Sequence, residues 1–161
     1  MPNWALNELH VSGSAEDVKA FIEANTTDGV FKFATLVPEP RYDNDTDWYD
    51  WRIENWGTKW DLEDGDVGIN FHSAGAVITF QTAWAYPLEW LNFVANKFRN
   101  LYFYHYSADP SMDWHVELDC EPEFTEGKRN MVESKRGPFL ENARFWGLED
   151  MFEEDEELVG A

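Results

Sequence analysis

The sequence predicts an α+β fold: one antiparallel sheet with two helices on one of its faces, a long Trp-rich insertion and a C-terminal helical extension. Three observations predict it. Val18, Phe21 and Ile22, and further on Leu88, Leu91, Val94, Ala95 and Phe98, recur at helical spacing, so each segment has one apolar stripe to bury. Short alternating or apolar runs bounded by turn formers stand before, between and after these stripes as strands. The chain has 161 residues, 43% of them hydrophobic and 17% aromatic, which is enough to enclose one core of ordinary size.

The first strand is Leu6 to Ser12, alternating in type and ending at Gly13. Ser14 follows as an N-cap for a helix over 15–25; Asp17 stands where a complete capping box carries Glu. The apolar segment Val30 to Val37 stops at Pro38-Glu39-Pro40, and a polar and aromatic stretch runs from Arg41 to Asp66. Strands resume at 67–72 and 77–84, joined through Ser73-Ala74-Gly75 as a hairpin. Pro87 fits the first turn of the second helix, and strands follow at 101–107 and 114–120. This order, with one strand to spare, is that of a ferredoxin-like split βαβ core. Residues 1–120 are therefore read as the ferredoxin-like domain with the acidic and aromatic insertion 41–66, and residues 121–161 as an extension. Within the extension, Gly127, Lys128, Arg129, Lys135, Arg136 and Gly137 read as a basic linker, 138–151 as a short helix, and 149–157 as an acidic tail.

Charge narrows the function further. Thirty-two acidic residues against twelve basic ones give a net charge of -20, while nine Trp, twelve Phe and six Tyr exclude a disordered acidic tail. Such a surface repels nucleic acids and anionic membranes and attracts basic surfaces, the largest of which bind nucleic acid. The single Cys120 excludes an internal disulfide framework. The start lacks the pattern of a signal peptide, and no uncharged apolar run approaches the roughly 20 residues a membrane helix needs. A cytoplasmic protein is expected.

The densest motif is Trp48-Tyr49-Asp50-Trp51-Arg52-Ile53-Glu54-Asn55-Trp56-Gly57-Thr58-Lys59-Trp60-Asp61. Its indoles must pack, and we read it as a capping loop that closes the sheet, with Gly57 in a positive-φ turn. Arg52 and Lys59 are placed to pair with Glu54 and Asp61 or to stack on indoles. This string resembles the YubB ferredoxin-like domain family of phages and plasmids. Met1-Pro2-Asn3-Trp4 with Asn7, Leu9, Val11 and Gly13, the Val37-Pro38-Glu39-Pro40 step, and Phe80-Gln81-Thr82-Ala83-Trp84 share in the resemblance. It covers roughly the first 118 residues. Ala5 departs from it, standing where family members often have Cys. The resemblance implies a ferredoxin-like fold and a mobile-element origin, and it transfers no catalytic residue.

Two chemistries compete with a binding role. Asp43, Asp45, Asp47 and Glu54 fall at positions 1, 3, 5 and 12 of an EF-hand-like calcium loop. Trp48 stands where that loop needs Gly, and prolines precede it where a helix should enter. His10-Val11-Ser12 and His105-Tyr106-Ser107 repeat a His-x-Ser pattern. On strands, His and Ser two apart share a face, and two such pairs can supply a general acid and base. This resembles two-histidine phosphoesterases acting on cyclic or linear oligonucleotides. The negative surface opposes such substrates. Cys120 has no neighbouring His and alternates with acids, which disfavours a reactive thiolate. No phosphate loop, dinucleotide fingerprint or zinc cluster is present, and no cofactor is expected.

The acids carry the leading expectation. Glu117, Asp119, Glu121 and Glu123 alternate with Leu118, Cys120 and Pro122; if extended, they share one face about 6.8 Å apart. That is near every second phosphate of a duplex strand, at roughly 3.4 Å each. With the cluster Asp43, Asp45, Asp47 and Asp50, they are the expected contacts to a basic host protein. The expected role is a non-catalytic anti-defence inhibitor, of anti-CRISPR or anti-restriction type, that mimics nucleic acid. No direct nucleic acid or membrane contact is expected, and self-association stays open.

Overall fold

The computed structural model describes residues 3–123 and 127–139. In chain order the elements are β1 (Trp4–Ser12), α1 (Ala15–Ala24), β2 (Thr26–Thr27), β3 (Val30–Phe31), a 3-10 turn (Phe33–Thr35), α2 (Asp47–Asn55), β4 (Gly68–His72), β5 (Gly75–Ala83), α3 (Leu88–Lys97), β6 (Tyr102–Asp109), β7 (Trp114–Cys120) and β8 (Val132–Gly137). The main sheet runs β4-β5-β1-β6-β7-β8, every neighbouring pair antiparallel. Its first four strands with α1 and α3 form the ferredoxin-like split βαβ core. β2 and β3 make a separate small hairpin.

Alternation decides which face each strand buries. In β1, Ala5, Leu9 and Val11 turn towards the helices, while Glu8, His10 and Ser12 turn away. Opposite them, α1 contributes Val18 and Phe21, and α3 contributes Trp90, Leu91, Val94 and Ala95. The core between is aromatic: the Phe33 and Trp90 ring centroids lie 5.0 Å apart, and Phe21 meets Phe98 at 5.1 Å. Ser14 caps α1, its Oγ accepting from the Asp17 backbone N–H at 3.1 Å. Gly75, the first residue of β5, lies so close to β1 that a Cβ there would sit 1.9 Å from the Val11 carbonyl oxygen.

Three expectations need correction. The insertion is not all loop, because Asp47–Asn55 is a third helix. Asn44 initiates it, its side-chain oxygen accepting from the Thr46 and Asp47 backbone N–H groups, and Asp47 and Asp50 lie in the first turn, where the helix dipole favours acids. The stripe Trp48, Trp51, Arg52, Trp56 has helical spacing, but a cation at its centre hides it from an apolar count. Second, the basic linker contains β8, which pairs with β7. Third, Arg129 is no surface linker residue. Its guanidinium donates to the carbonyls of Ala95, Phe98 and Arg99 at the end of α3, and also to Leu101 and Glu121. A cation there offsets the negative end of the helix dipole. After β8 the chain turns to the sheet face away from the helices, where Phe139 packs on Tyr106 and Ala108. The rest of the expected helix 138–151, and the tail 149–157, lie outside the described residues.

Candidate functional site

The Trp-rich string builds one end of the molecule. Trp56 is fully buried; its indole N–H donates to the Val37 carbonyl at 2.9 Å, and its own carbonyl accepts from the Trp90 N–H at 3.2 Å, capping the start of α3. Gly57 then turns with φ of +89°, and a Cβ there would sit 2.8 Å from the Leu88 nitrogen, so only glycine fits. The buried Thr58 hydroxyl donates to the Ala83 carbonyl at 3.0 Å. Only the second half of the string, 56–61, forms a cap at the sheet end; its first half, expected as loop, is α2.

Arg52 organises what lies outside that cap. Its guanidinium grips Glu39 bidentately at 2.8 and 2.9 Å and donates to the Lys59 carbonyl at 3.2 Å. It lies over the rings of Trp48, Trp56 and Trp60, at 4.8, 5.4 and 5.5 Å from their centroids. Trp48 and Trp60 stack at 5.3 Å. Burial pushes the Glu39 carboxyl up, but the hydrogen bonds from Arg52 and Tyr42 and the guanidinium charge outweigh it, so its pKa is lowered. Arg52 thus pairs with Glu39 rather than the expected Glu54. Asp61 pairs with neither Arg52 nor Lys59: its carboxylate accepts from the Phe33, Ala34 and Leu62 N–H groups, holding the start of the 3-10 turn. Burial raises its pKa despite those bonds.

Beside this cap lies a groove of about 980 Å³. Trp4 and Trp60, 44% and 39% exposed, line it, together with Lys32, Arg52, Glu63, Asp66 and Gln81 of β5. Trp4 and Trp60 are far apart in sequence, and Glu39 sits between two prolines, so no local pattern marked this constellation.

The acids expected to act together are divided. Asp43, Asp45, Asp47 and Asp50 are exposed at the start of α2, in the helical layer, and among the described residues none is in an ion pair. Glu117 and Asp119 lie in β7 on the opposite face of the sheet. There they are engaged: Tyr104 donates its hydroxyl to Glu117, Tyr102 bonds Asp119, and Lys135 of β8 stands across from Glu117. Burial and then Glu117 push the Tyr104 hydroxyl pKa well up. β7 ends at Cys120, so Glu121 and Glu123 do not continue a strand row; the Glu121 carbonyl turns to Arg129, and the Glu123 N–H bonds the Arg99 carbonyl. Burial, ahead of the opposing charge of Arg129, raises the Cys120 thiol pKa.

Neither competing chemistry is assembled. His10 and His105 occupy adjacent strands but opposite faces, because His10 pairs with Tyr104 and His105 with Leu9. His10 and Ser12 face away from the helices, and His10 Nε2 lies 2.5 Å from Glu8. His105 and Ser107 are fully buried on the helical side. The Ser107 hydroxyl donates to the Leu6 carbonyl, and His105 Nε2 meets the Asn7 side-chain oxygen at 2.9 Å. Asn7 spends its NH2 on Ala5 and Thr82, so His105 is the donor and carries its proton on Nε2. Burial, aided by the charge of His10, lowers the His105 pKa to about 3. The calcium loop fails because the helix starts at Asp47, its fifth position, which carries Glu54 two turns along α2 instead of back to Asp43 and Asp45. Among the described residues no group of three metal-ligating side chains forms, and no helix is long and apolar enough to cross a membrane.

Residues 55–126 match the family described as a ferredoxin-like domain in Api92-like protein, a stretch from the end of α2 through β7. The chain therefore contains a ferredoxin-like domain; the match does not extend to the YubB kinship. No curated protein and no solved structure matches the chain.

Proposed function

We propose that this is a non-catalytic accessory protein of phage or plasmid origin that binds a basic host protein in the cytoplasm. In its concrete form it is an anti-defence inhibitor, of anti-CRISPR or anti-restriction type, that occupies a nucleic-acid-binding surface with fixed carboxylates. The YubB kinship belongs to this reading. The observation that carries it is the exposed group Asp43, Asp45, Asp47 and Asp50 around the start of α2, where Arg52, paired with Glu39, lies over Trp48, beside exposed Tyr49 and Ile53. Acids without an ion-pair partner among the described residues steer encounter with a cationic surface, and neighbouring aromatic and apolar groups anchor the complex. Glu117 and Asp119, on the other face and already engaged, serve as a secondary patch.

A direct test captures purified host restriction and CRISPR effector proteins on the immobilised chain, at rising salt and with duplex DNA as competitor. The reading expects capture that weakens with salt and is displaced by DNA. The variant carrying Asn at Asp43, Asp45, Asp47 and Asp50 should lose it. Equal capture by that variant, or capture indifferent to DNA, overturns the proposal.

A further inference from the structure

We infer that the groove between Trp4 and Trp60 receives an extended cationic segment of the partner protein, which adds as a strand to the outer edge of β5. This rests on the binding role proposed above and names where the partner's backbone engages. β4 pairs with β5 only as far as Thr79, whereas β5 runs on to Ala83. The two-residue turn makes His72 and Gly75 a bonded pair, so alternation directs the backbone groups of Gly75, Val77 and Thr79 to β4 and those of the residues between them to β1. Gln81 is next in the outward series, and among the described residues no strand covers it beyond Thr79. The Thr58 hydroxyl reaching the Ala83 carbonyl marks the same outward side. Among the described residues the Gln81 N–H and C=O on that side have no partner strand, and Gln81 lines the groove together with two partly exposed indoles, the arrangement that accepts an added strand.

Charge selects the occupant. Arg52 is neutralised by Glu39, and Lys32, like Glu63 and Asp66 in no ion pair among the described residues, is offset by the charge of Asp61, so the surplus charge of the lining is that of the exposed Glu63 and Asp66. A second copy, at a net charge of -20, and a nucleic acid are both repelled. A segment alternating basic and apolar residues sets its cations against Glu63 and Asp66 and its apolar side chains against the indoles.

The probe is an eight-residue peptide alternating Arg and Val, compared with a Glu-Val twin and with an Arg-Val twin N-methylated at alternate backbone nitrogens. Titrated into the full chain, the first should protect the Gln81 amide from hydrogen exchange, and both twins should bind at least about tenfold more weakly. The double variant Glu63→Lys with Asp66→Lys, both surface positions, should lose the peptide at an unchanged unfolding midpoint. Equal binding of the N-methylated twin, or an unprotected Gln81 amide, overturns the strand addition. If effector capture still depends on Asp43, Asp45, Asp47 and Asp50, the broader binding role survives that result; if capture fails as well, both fall. A dimer in sedimentation that protects Gln81 without peptide overturns the choice of occupant.

Discussion

The two faces of the sheet carry the same kinds of side chain and put them to opposite uses. On the helical side, His105 is fully buried, and among the described residues its one hydrogen bond is to Asn7. One residue away in register, on the other face, the side chain of His10 is 30% exposed and pairs with Glu8. Carboxylates divide in the same way. Glu117 and Asp119 are held by tyrosine hydroxyls on the face away from the helices, whereas Asp43, Asp45 and Asp50 on the helical layer are exposed and in no ion pair among the described residues. Residue type therefore decides little about role here; the face and the neighbours decide it.

The largest effect expected is on the helical side. Trp56→Ala empties a fully buried site, removes the bond to Val37 and unsettles the cage that holds α2. It should cost about 3–5 kcal/mol in denaturant unfolding. A loss under 1 kcal/mol would mean that the Trp-rich cap is not part of the core.

The buried histidine comes next. Its folded pKa of about 3 lies below the ordinary 6.5, so between those values the unfolded chain binds a proton that the native chain refuses. Stability from this group is complete above pH 6.5 and falls with acidification at about 1.4 kcal/mol per pH unit. Between pH 7 and pH 5 the loss is about 2 kcal/mol, and His105→Gln should remove that part of the pH dependence. Parallel curves for the two proteins would show that His105 is not held neutral.

Smaller effects belong to the acids. Tyr104→Phe removes the donor to Glu117 and should cost about 0.5–1.5 kcal/mol. Changing Asp43, Asp45 and Asp50 to Asn should each move stability by no more than about 0.5 kcal/mol. Equal costs at the two acidic regions would erase the distinction between engaged and available carboxylates.

Much of the fold was legible because its signals are local. The alternation of Leu6 to Ser12, the Ser14 cap and the stripe of α3 each reflect a period that one element imposes on its own residues. The helix of the insertion was missed because Arg52 interrupts its apolar stripe, and that cation becomes a core-like group only once Glu39 and three indoles surround it. β8 was missed because Glu133, Lys135 and Arg136 suit a charged edge strand as well as they suit a linker. The His-x-Ser repeat misled because a two-residue period says which residues share a face, and nothing about which face the neighbouring strand presents.

By itself the sequence determined the amounts: enough aromatic surface for one core, a net charge of -20, the element order of a ferredoxin-like domain, and a glycine where the capping loop must turn. Tertiary structure alone decided the directions. Register between β1 and β6 separated the two histidines, the pairing of β7 and β8 set Lys135 across from Glu117, and the start of β4 at Gly68, opposite Thr79, left the rest of that β5 edge without a strand among the described residues. The reason is physical: propensity and hydrophobic period act along a few neighbouring residues, whereas register and charge compensation are settled between residues distant in the chain, when the elements pack.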